Sequence, residues 1–557
     1  MKVVIIGGVA GGASTATRLR RVNKDAEIII IEKGPFISYA NCGLPYHISG
    51  IIKDEEDLLL VSPQIMKDRF NINVLVNNEV ISINKEDKTI EVLNIKTNEK
   101  FIESYDKLVI STGSSVIIPN IEGVDNKKVM SLWTVPDTIK IKQYIEFNNI
   151  KTVSVVGGGF IGLEMVENLR HLGLEVNLIE KQNQVLGSLD FEMAQLIHKE
   201  LADNNVILYL NRGLNKIEDD NNEVRLFLDD GTVLKSELVI MSIGVKPNSK
   251  LAIDSGISTN AKGGILVNEY LETNIKDIYA LGDVIEVNDY IDGSKTMIPL
   301  AGPANKQGRY LADTLNNNPK KYSGTLGTSI VKIFNKVAAS TGNNEKQLMK
   351  KGMKENIDYK VVIVKGASHA KYYPMSSPII IKAIFDNSEK ILGAQIVGFV
   401  GVDKRIDIIA TAIKTNLKIT ELMDLELAYA PPFSSAKDIV NMVGYVSENV
   451  INNLVKFIHP RQYYAIKDEV VTLDVREDFE RKHSKIEGSV HIPIGMLRTR
   501  YQELDKDKTI VVYCMSAPRA YNSAIILQQM GFKDVLVQSA GMDFYLTYLF
   551  NTDSTHN

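Results

Sequence analysis

Two glycine-rich stretches decide the fold class of this chain of 557 residues. The first is Val3–Gly12, VVIIGGVAGG, and the second is Val153–Gly162, VSVVGGGFIG. Each begins as a buried apolar strand, turns on glycines and runs into a helical pattern. A second strand then ends in an acid, Glu32 or Glu180, which stand twenty and eighteen residues after the last glycine of their stretch. This order is typical of a dinucleotide-binding unit and predicts an α/β fold with two Rossmann-like domains.

The residue types explain what such a unit binds. Glycine lets the backbone approach a pyrophosphate, and the following helix offers unpaired N–H groups and the positive end of its dipole. The acid accepts a hydrogen bond from a ribose hydroxyl. Two units predict two dinucleotides, for which a flavin and a nicotinamide are the natural pair. Glu180 favours NADH because a carboxylate repels a 2′-phosphate, whereas the neighbouring Lys181 leaves NADPH open as the alternative.

Composition argues against several other classes of protein. The chain has 64 Lys and Arg against 68 Asp and Glu, a formal charge of −4, so no nucleic-acid partner is expected. No apolar run reaches the ~18 residues of a membrane span. The two cysteines, Cys42 and Cys514, are too few for a disulfide scaffold or a thiolate zinc site, and the histidines lack paired-ligand spacing. We therefore expect a soluble cytoplasmic protein without a metal centre.

The pattern changes after the second dinucleotide unit. Strand-like runs such as Tyr359–Val364 and Ile379–Phe385 alternate with polar turns, which predicts an α+β domain from about Gly324 to Tyr445. The polar segment Ser447–Lys456 predicts a connecting helix or linker. A small α/β unit begins at about Pro460. Its predicted elements are two strands and one helix, Val470–Leu473, Thr509–Val512 and Ala520–Met530.

Residues 1 to about 445 resemble the pyridine nucleotide–disulfide oxidoreductases, in particular the single-cysteine branch that acts on coenzyme A disulfide. The two glycine turns carry the resemblance, together with Tyr105–Gly113 (YDKLVISTG) and Tyr279–Asp283 (YALGD). The implied division is a discontinuous FAD-binding domain at 1–113 and 246–323, an NAD(P)H-binding domain at 114–245, an α+β dimerisation domain at 324–446, a linker at 447–461 and a C-terminal α/β domain at 462–557.

The resemblance assigns both cofactors. FAD would lie on the first glycine turn, with Glu32 on its adenosine ribose and Asp283 on its ribityl chain, and NAD(P)H would lie on the second. Val9 departs from the family, which usually has a glycine there. The implied cofactor-binding residues are Gly7, Gly8, Gly11, Gly12, Glu32, Lys33, Thr112, Gly113, Gly157, Gly159, Gly162, Glu164, Glu180, Gly282, Asp283 and Ala301.

Cys42 is the candidate redox residue. Positions 37 to 47 contain no other cysteine, so an intramolecular disulfide cannot form there. The sulfur must therefore pair with a small-molecule thiol or a persulfide, or carry an oxygen as sulfenic acid. The resemblance implies a mixed disulfide with coenzyme A, whose phosphates need cations and hydrogen-bond donors. The candidates for that site are Ser14, Arg18, Arg21, Ser38, Asn41, Arg69, Asn305 and Lys306.

The resemblance also implies a homodimer. In relatives, one tyrosine from each of two segments of the dimerisation domain assists proton delivery to the departing thiolate. Here the segments are Ser368–Pro374 and Ala428–Ser434. Tyr429 is the candidate in the second and reaches across from the partner subunit. Tyr372 and Tyr373 both stay open as the candidate in the first.

The last hundred residues resemble a rhodanese domain. The loop Cys514–Arg519 (CMSAPR) follows a strand and precedes a helix, so successive N–H groups can form an anion cradle around sulfur. Cys514 would carry a sulfane sulfur as persulfide, and Arg519 completes the catalytic set. Two departures affect the choice of donor, because Ala517 replaces the usual glycine and Ser484-Lys485 stands where relatives have Gly-His.

These features predict an NADH-dependent, FAD-containing reductase of coenzyme A disulfide, coenzyme A persulfide or polysulfide. One alternative is an NADH oxidase or peroxidase that uses Cys42 as sulfenic acid. The other is a non-enzymatic redox sensor or sulfur carrier.

Overall fold

The computed structural model describes residues 1–550. Contacts divide this part of the chain into two compact units. The first contains residues 1–181 and 212–327, and the second contains residues 182–211 and the described chain from residue 328 onward. Each unit is larger than a single predicted domain, so the predicted domain boundaries stay predictions.

The first unit contains both dinucleotide motifs. Up to residue 181 its elements are β1 Lys2–Ile6, α1 Ala10–Val22, β2 Glu27–Glu32, α2 Leu44–Ile48, α3 Pro63–Phe70, β3 Asn73–Val76, β4 Asn78–Asn84, β5 Thr89–Asn94, β6 Lys100–Ser104, β7 Lys107–Ile110, β8 Ser114–Val116, β9 Val129–Ser131, α4 Val135–Asn148, β10 Thr152–Val156, α5 Phe160–His171 and β11 Glu175–Glu180. The second unit takes α6 Phe191–Asp203 and β12 Val206–Leu210. The first unit resumes with β13 Leu214–Asp220, β14 Glu223–Leu228, β15 Val233–Ser236, β16 Leu238–Met241, β17 Val245–Pro247, α7 Lys250–Asp254, β18 Ile278–Ala280, β19 Val287–Asn288, β20 Lys295–Thr296 and α8 Ala301–Leu315.

Parallel sheets position the two glycine turns. In the first, strands lie in the order β18-β7-β1-β2-β3, and in the second β11, β10, β16 and β9 are neighbours in that order. Central strands β1 and β10 are buried on both faces, which favours the apolar residues at most of their positions. The carboxyl end of each runs straight into a glycine turn. This edge is where open parallel sheets bind ligands.

The second unit combines an antiparallel and a parallel sheet. Its elements from residue 328 are β21 Ser329–Ile333, β22 Lys336–Gly342, α9 Glu345–Lys350, β23 Tyr359–Ala367, β24 Pro378–Asp386, β25 Ile391–Gly398, α10 Val402–Lys414, α11 Ile439–Ile451, β26 Lys456–Ile458, α12 Pro460–Ile466, β27 Val471–Asp474, α13 Asp478–His483, β28 Val490–His491, α14 Ile494–Arg500, β29 Ile510–Tyr513, α15 Pro518–Gln529, β30 Val535–Gln538 and α16 Met542–Tyr548. The antiparallel order is β21-β22-β25-β24-β23, and the parallel order is β26-β30-β29-β27-β28.

The segment predicted as a connecting helix or linker, within 447–461, contains regular elements. Residues 447–451 complete α11, and α12 starts at Pro460. Between them, β26 pairs with β30 and forms the edge of the parallel sheet, with Phe457 opposite Val537. The physical reason is that an apolar pair, Phe457 and Ile458, covers the edge of β30 that would otherwise stay unpaired.

Candidate active site

Close backbone contacts shape the first glycine turn. Gly7 has a φ of +99°, and a Cβ there would lie 2.2 Å from the carbonyl oxygen of Ser111. A Cβ on Gly12 would lie 1.9 Å from the carbonyl oxygen of Gly7, and one on Gly11 would lie 2.1 Å from Cδ1 of Leu281. Gly7 and Gly12 therefore admit glycine only, because the atoms that a Cβ would meet belong to the backbone, whereas the contact at Gly11 is with the end of a side chain. Helix α1 begins here without a side-chain cap, so its first N–H groups face the turn unpaired by a cap.

The two predicted ribose-binding acids occupy equivalent places. The Glu32 carboxylate accepts hydrogen bonds from the N–H of Gly8 at 2.8 Å and of Gly34 at 2.7 Å. The Glu180 carboxylate accepts one from the N–H of Gly158 at 2.7 Å. Both acids thus lie directly beside their glycine turn, as the predicted role requires.

The second turn repeats the first with one informative difference. Gly157 has a φ of +110°, and a Cβ there would lie 2.3 Å from the carbonyl oxygen of Ser242, while a Cβ on Gly162 would lie 1.9 Å from that of Gly157. Gly159 has a φ of −78°, and its Cβ would meet no atom within 4 Å. Val9 occupies the equivalent position in the first turn with a φ of −90°. The departure at Val9 therefore needs no left-handed backbone.

Asp283 lies in a short turn after β18. Its carboxylate accepts a hydrogen bond from the Ser114 hydroxyl at 2.8 Å. Burial raises the pKa of Asp283, and this hydrogen bond partly offsets the rise. The preceding Gly282 has a φ of +80° and donates its N–H to the side-chain oxygen of Gln307 at 2.8 Å. Gly113, after β7, also has a positive φ, +64°.

The other predicted cofactor residues have different surroundings. The Thr112 hydroxyl donates to the carbonyl oxygen of Asn248 at 2.7 Å. Ala301 is exposed and begins α8. Lys33 is exposed and forms a 2.8 Å ion pair with Glu79, so its charge is already matched within the protein.

Cys42 is exposed in a single 3-10 turn, Asn41–Gly43, that leads into α2. Helix α2 packs against α5, where the Ser49 hydroxyl donates to the side-chain oxygen of Asn168 at 2.6 Å. Because α5 begins at the second glycine turn, the segment that carries Cys42 is held against the helix at which the second nucleotide is expected.

One carboxylate, Glu164, lies close enough to act on the thiol of Cys42. Partial desolvation and the nearby Glu164 carboxylate raise the pKa of Cys42. Burial and the neighbouring Glu167 raise the pKa of Glu164 to about 7, against a hydrogen bond with Tyr46 that lowers it. Desolvation and the Glu164 charge raise the pKa of Tyr46 to about 12. Tyr46, which the sequence patterns did not indicate, lies in α2, the helix that directly follows the turn with Cys42.

Helices α1 and α8 carry most candidates for coenzyme A. The Ser14 hydroxyl forms a hydrogen bond with the side-chain oxygen of Asn305. Arg18 donates to the buried Asp313 carboxylate at 2.8 Å, which also pairs with Lys320 at 2.7 Å. The sequence did not indicate a role for Asp313. Its carboxylate holds Arg18, one of the two arginines predicted to bind phosphate, in place.

The two helices pack very closely. A Cβ on Gly308 would lie 2.6 Å from the carbonyl oxygen of Gly11.

Arg21 is exposed, with its guanidinium carbon 5.4 Å from the centre of the Phe70 ring. The remaining candidates expose their side chains wholly or in part: Ser38, Asn41, Arg69 and Lys306.

The structure distinguishes the two tyrosines that the sequence left open. The hydroxyl of Tyr372 lies 3.0 Å from that of Tyr429, and the two residues are 76% and 48% exposed. This hydrogen bond raises the pKa of Tyr372. Tyr373 instead packs edge-on against His369, with ring centroids 5.8 Å apart. Tyr372 is therefore the tyrosine that accompanies Tyr429.

The second cysteine lies in the parallel sheet of the second unit. Cys514 is buried and begins the loop between β29 and α15. The loop is tightly packed, since a Cβ on Gly541 would lie 2.5 Å from the carbonyl oxygen of Met515. Ala517 has a φ of +80°, a conformation that suits glycine and costs about 1–3 kcal/mol for other residues.

Arg519 links this loop to α13. Its guanidinium makes a two-point contact with the Glu480 carboxylate at 2.5 and 2.7 Å. The contact with Glu480 raises the pKa of Arg519, and the nearby Cys514 adds to the rise. Ser484, one of the residues that depart from the rhodanese pattern, accepts a hydrogen bond from Arg476 at 2.7 Å. The acceptor is the backbone carbonyl oxygen, so this contact does not depend on the side chain.

One acidic cluster has metal-like spacing, formed by Asp190, Glu192 and Glu345. The buried ammonium of Lys382 lies among these carboxylates and pairs with all three, at 2.8 Å from Asp190. A lysine thus balances part of the charge. Within residues 1–550, no helix is both long enough and apolar enough to span a bilayer.

Three regions match known protein families. Residues 1–308 match the family described as Pyridine nucleotide-disulphide oxidoreductase. The chain belongs to the pyridine nucleotide–disulphide oxidoreductase family. Residues 328–439 match the dimerisation domain of these oxidoreductases, and residues 460–546 match the rhodanese-like domain. The predicted fold class is confirmed.

Several oxidoreductases are similar over most of the chain. A coenzyme A disulfide reductase of Staphylococcus haemolyticus is 38% identical over 451 residues, 81% of this chain and 100% of that protein. The crystal structure of reduced Bacillus anthracis CoADR-RHD is 45% identical with a TM-score of 0.95 and covers 98% of both chains. An NAD-dependent persulfide reductase from A. fulgidus is 35% identical with a TM-score of 0.92 and covers 98% of this chain and 100% of that one.

Membership of the oxidoreductase family implies binding of FAD and NAD(P)H. The two glycine turns of this chain fit FAD and NAD(P)H, because each turn joins a central parallel strand to a helix without a side-chain cap. The open space at Gly159 leaves room for a pyrophosphate. The acid–turn contacts of Glu32 and Glu180 add a hydrogen-bond acceptor beside each turn.

Proposed function

We propose that this chain is an FAD-dependent, NADH-driven reductase of coenzyme A disulfide, coenzyme A persulfide or polysulfide, with Cys42 as its redox thiol. The observation that carries the proposal is an exposed Cys42 on a turn packed against α5, with no second cysteine in its segment. The sulfur that it exchanges must then belong to a small molecule. The coenzyme A disulfide reductase and the persulfide reductase to which the chain is similar support these substrates and do not favour the oxidase alternative.

The glycine turns would hold the cofactors through N–H groups at the starts of α1 and α5. Glu32 and Glu180 would bind the two adenosine riboses, and Asp283 the ribityl chain. When bound, FAD supplies a carrier of two electrons between a nicotinamide and a sulfur. Glu180 favours NADH over NADPH, because its carboxylate would repel a 2′-phosphate.

Coenzyme A would lie along α1 and α8. Guanidinium groups bind phosphates through two parallel hydrogen bonds, which suits Arg18 and Arg21. Asp313 fixes Arg18 through its Nε, which leaves the outer edge of that guanidinium available. The remaining proposed contacts are Ser14, Ser38, Asn41, Arg69, Asn305 and Lys306.

The chemistry balances through Cys42. Its thiolate attacks one sulfur of coenzyme A disulfide, forms a Cys42–coenzyme A disulfide and releases one coenzyme A thiolate, which takes a proton. Two electrons that originate from NADH then break this disulfide, which restores the Cys42 thiolate and releases the second coenzyme A with a second proton. One disulfide, one NADH and one proton thus yield two thiols and NAD⁺. With coenzyme A persulfide, the same steps yield one coenzyme A and one sulfide.

The remaining residues would serve proton and sulfur transfer. In a homodimer, the Tyr372–Tyr429 pair of one protomer would protonate the thiolate that leaves Cys42 of the partner subunit. Cys514 would accept a sulfane sulfur from polysulfide or a similar donor and pass it to the coenzyme A thiol as a persulfide. Arg519, held by Glu480, would stabilise the sulfur anion on Cys514.

Two cysteine variants form a matched test. Cys42→Ser should abolish turnover with coenzyme A disulfide while the purified protein keeps its flavin absorbance. Cys514→Ser should retain disulfide reduction and lose sulfide release from polysulfide. Mass spectrometry of intact wild type before and after a reductant should show a loss equal to coenzyme A, which Cys42→Ser lacks. Disulfide turnover by Cys42→Ser would refute the mechanism.

A further inference from the structure

Two separate loops present the exposed tyrosine pair. Tyr372 lies in the loop between β23 and β24, and Tyr429 lies in the segment before α11. Their hydroxyls are nevertheless 3.0 Å apart. Long exposed side chains on loops hold such a distance only if the backbones beneath them are fixed to one another.

A fully buried arginine provides the first tie between these loops. Arg405, on α10, donates through Nη2 to the carbonyl oxygen of Ser368 at 2.8 Å, where the first loop begins. It also makes a two-point contact with the Asp438 carboxylate, through Nε at 3.1 Å and Nη2 at 2.7 Å. Asp438 caps the N-terminus of α11, directly after the second loop. One planar guanidinium thus contacts both loops.

A second path closes the connection into a ring. The Asp438 carboxylate accepts a hydrogen bond from the Ser434 hydroxyl at 2.5 Å. The carbonyl oxygen of Ser434 accepts one from the N–H of Ala370 at 3.1 Å, two residues before Tyr372. All of these residues are buried. Buried polar networks of this kind, with their partners satisfied, rigidify the segments that they join.

We propose that Arg405, with Asp438 and Ser434, is a positioning residue for the Tyr372–Tyr429 pair. It contacts neither tyrosine hydroxyl and acts through the backbones of the two loops. Lysine cannot replace it, because an ammonium is a point donor whereas the guanidinium donates in fixed directions from one plane. The inference rests on the proposed function, in which the pair delivers a proton to the departing thiolate.

The test uses the full-length holoenzyme and separates two half-reactions. Arg405→Lys and the milder Ser434→Ala should each lower kcat for coenzyme A disulfide by roughly tenfold or more, because a misplaced proton donor loses most of its effect. KM for NADH, and the rate of flavin bleaching by NADH without disulfide, should stay unchanged. Crystal structures of the variants should show Tyr372 and Tyr429 hydroxyls separated beyond hydrogen-bonding distance. Ser434→Ala keeps the test decisive even if Arg405→Lys does not fold.

A double-mutant cycle and a matched control decide between positioning and general stability. If Arg405 acts through the pair, Arg405→Lys with Tyr429→Phe should be no slower than Tyr429→Phe alone. Ile406→Val loosens the same helix at a buried apolar residue and should lower thermal stability without changing kcat. The positioning role would be overturned if the fold-losses in kcat of Arg405→Lys and Tyr429→Phe multiplied in the double variant. Equal kcat for Arg405→Lys, Ser434→Ala and Ile406→Val would overturn it as well. Wild-type kcat in Tyr372→Phe and Tyr429→Phe would overturn it too, and would place the error in the proposed proton delivery.

Discussion

Gly157 and Gly159 stand two residues apart in the second glycine turn, yet alanine should affect them in different ways. A Cβ on Gly159 meets no atom within 4 Å, and its φ of −78° suits alanine. Gly159→Ala should therefore change the free energy of unfolding by less than about 1 kcal/mol. Its methyl group instead fills space that the NADH pyrophosphate needs. Overpacking of this kind costs about 1–3 kcal/mol, so KM for NADH should rise roughly 5- to 150-fold.

The neighbouring Gly157 gives the opposite expectation. Its φ of +110° is unsuited to alanine, and the new Cβ would lie 2.3 Å from the carbonyl oxygen of Ser242, a backbone atom that cannot move alone. Strain and overlap together should cost at least about 3 kcal/mol. That loss lowers the thermal midpoint by roughly 6 °C or more for a domain of ordinary size.

Circular dichroism melting and steady-state kinetics with coenzyme A disulfide measure both effects. Gly495→Ala is the control, because this exposed helical glycine of α14 also has open space at its Cβ and lies in the other unit. It should leave KM for NADH unchanged. An unchanged KM in Gly159→Ala would refute the assignment of the turn to NADH. A Gly159→Ala variant as unstable as Gly157→Ala would refute the steric argument.

Two further predictions concern charge at the two thiol sites. Burial raises the pKa of Glu164 from 4.5 to about 7. The contribution of this group to the stability of the fold is therefore fully present below pH 4.5 and is lost as the pH rises through about 7. In urea titrations, the free energy of unfolding of Glu164→Gln should exceed that of the wild type by on the order of 3 kcal/mol at pH 8. At pH 4.5 the two free energies of unfolding should be equal. An equal gain in stability at both pH values would contradict this electrostatic origin. Arg519→Lys loses the two-point contact with Glu480 and should lower sulfide release from polysulfide by roughly tenfold, with disulfide reduction unchanged. The exposed Arg498→Lys is its control, and matching rates for the two variants would argue against a role for Arg519.

Local sequence patterns predicted most of the fold. The strands β1 and β10, with glycine turns behind them, are confirmed as central parallel strands, in which burial on both faces favours apolar residues at most positions. The turn glycines are local only in part. Gly12 and Gly162 approach carbonyl oxygens of their own turns, whereas the close carbonyl contacts of Gly7 and Gly157 come from residues after neighbouring strands, Ser111 and Ser242. The strand β26 within the predicted linker at 447–461 could not be predicted in this way, because it exists only through its pairing with β30, about eighty residues further along the chain.

The sequence by itself determined the two dinucleotide units, the lone Cys42 and the rhodanese loop, since each depends on neighbouring residues and their steric limits. Only the tertiary structure decided which charges and hydroxyls meet. Asp313 lies 295 residues from Arg18, and Tyr372 rather than Tyr373 reaches Tyr429. Such pairs depend on how distant helices and loops pack, and a charged or hydroxyl side chain has many chemically equal partners in the sequence. Packing selects one of them by distance and by the cost of leaving a buried polar group unpaired.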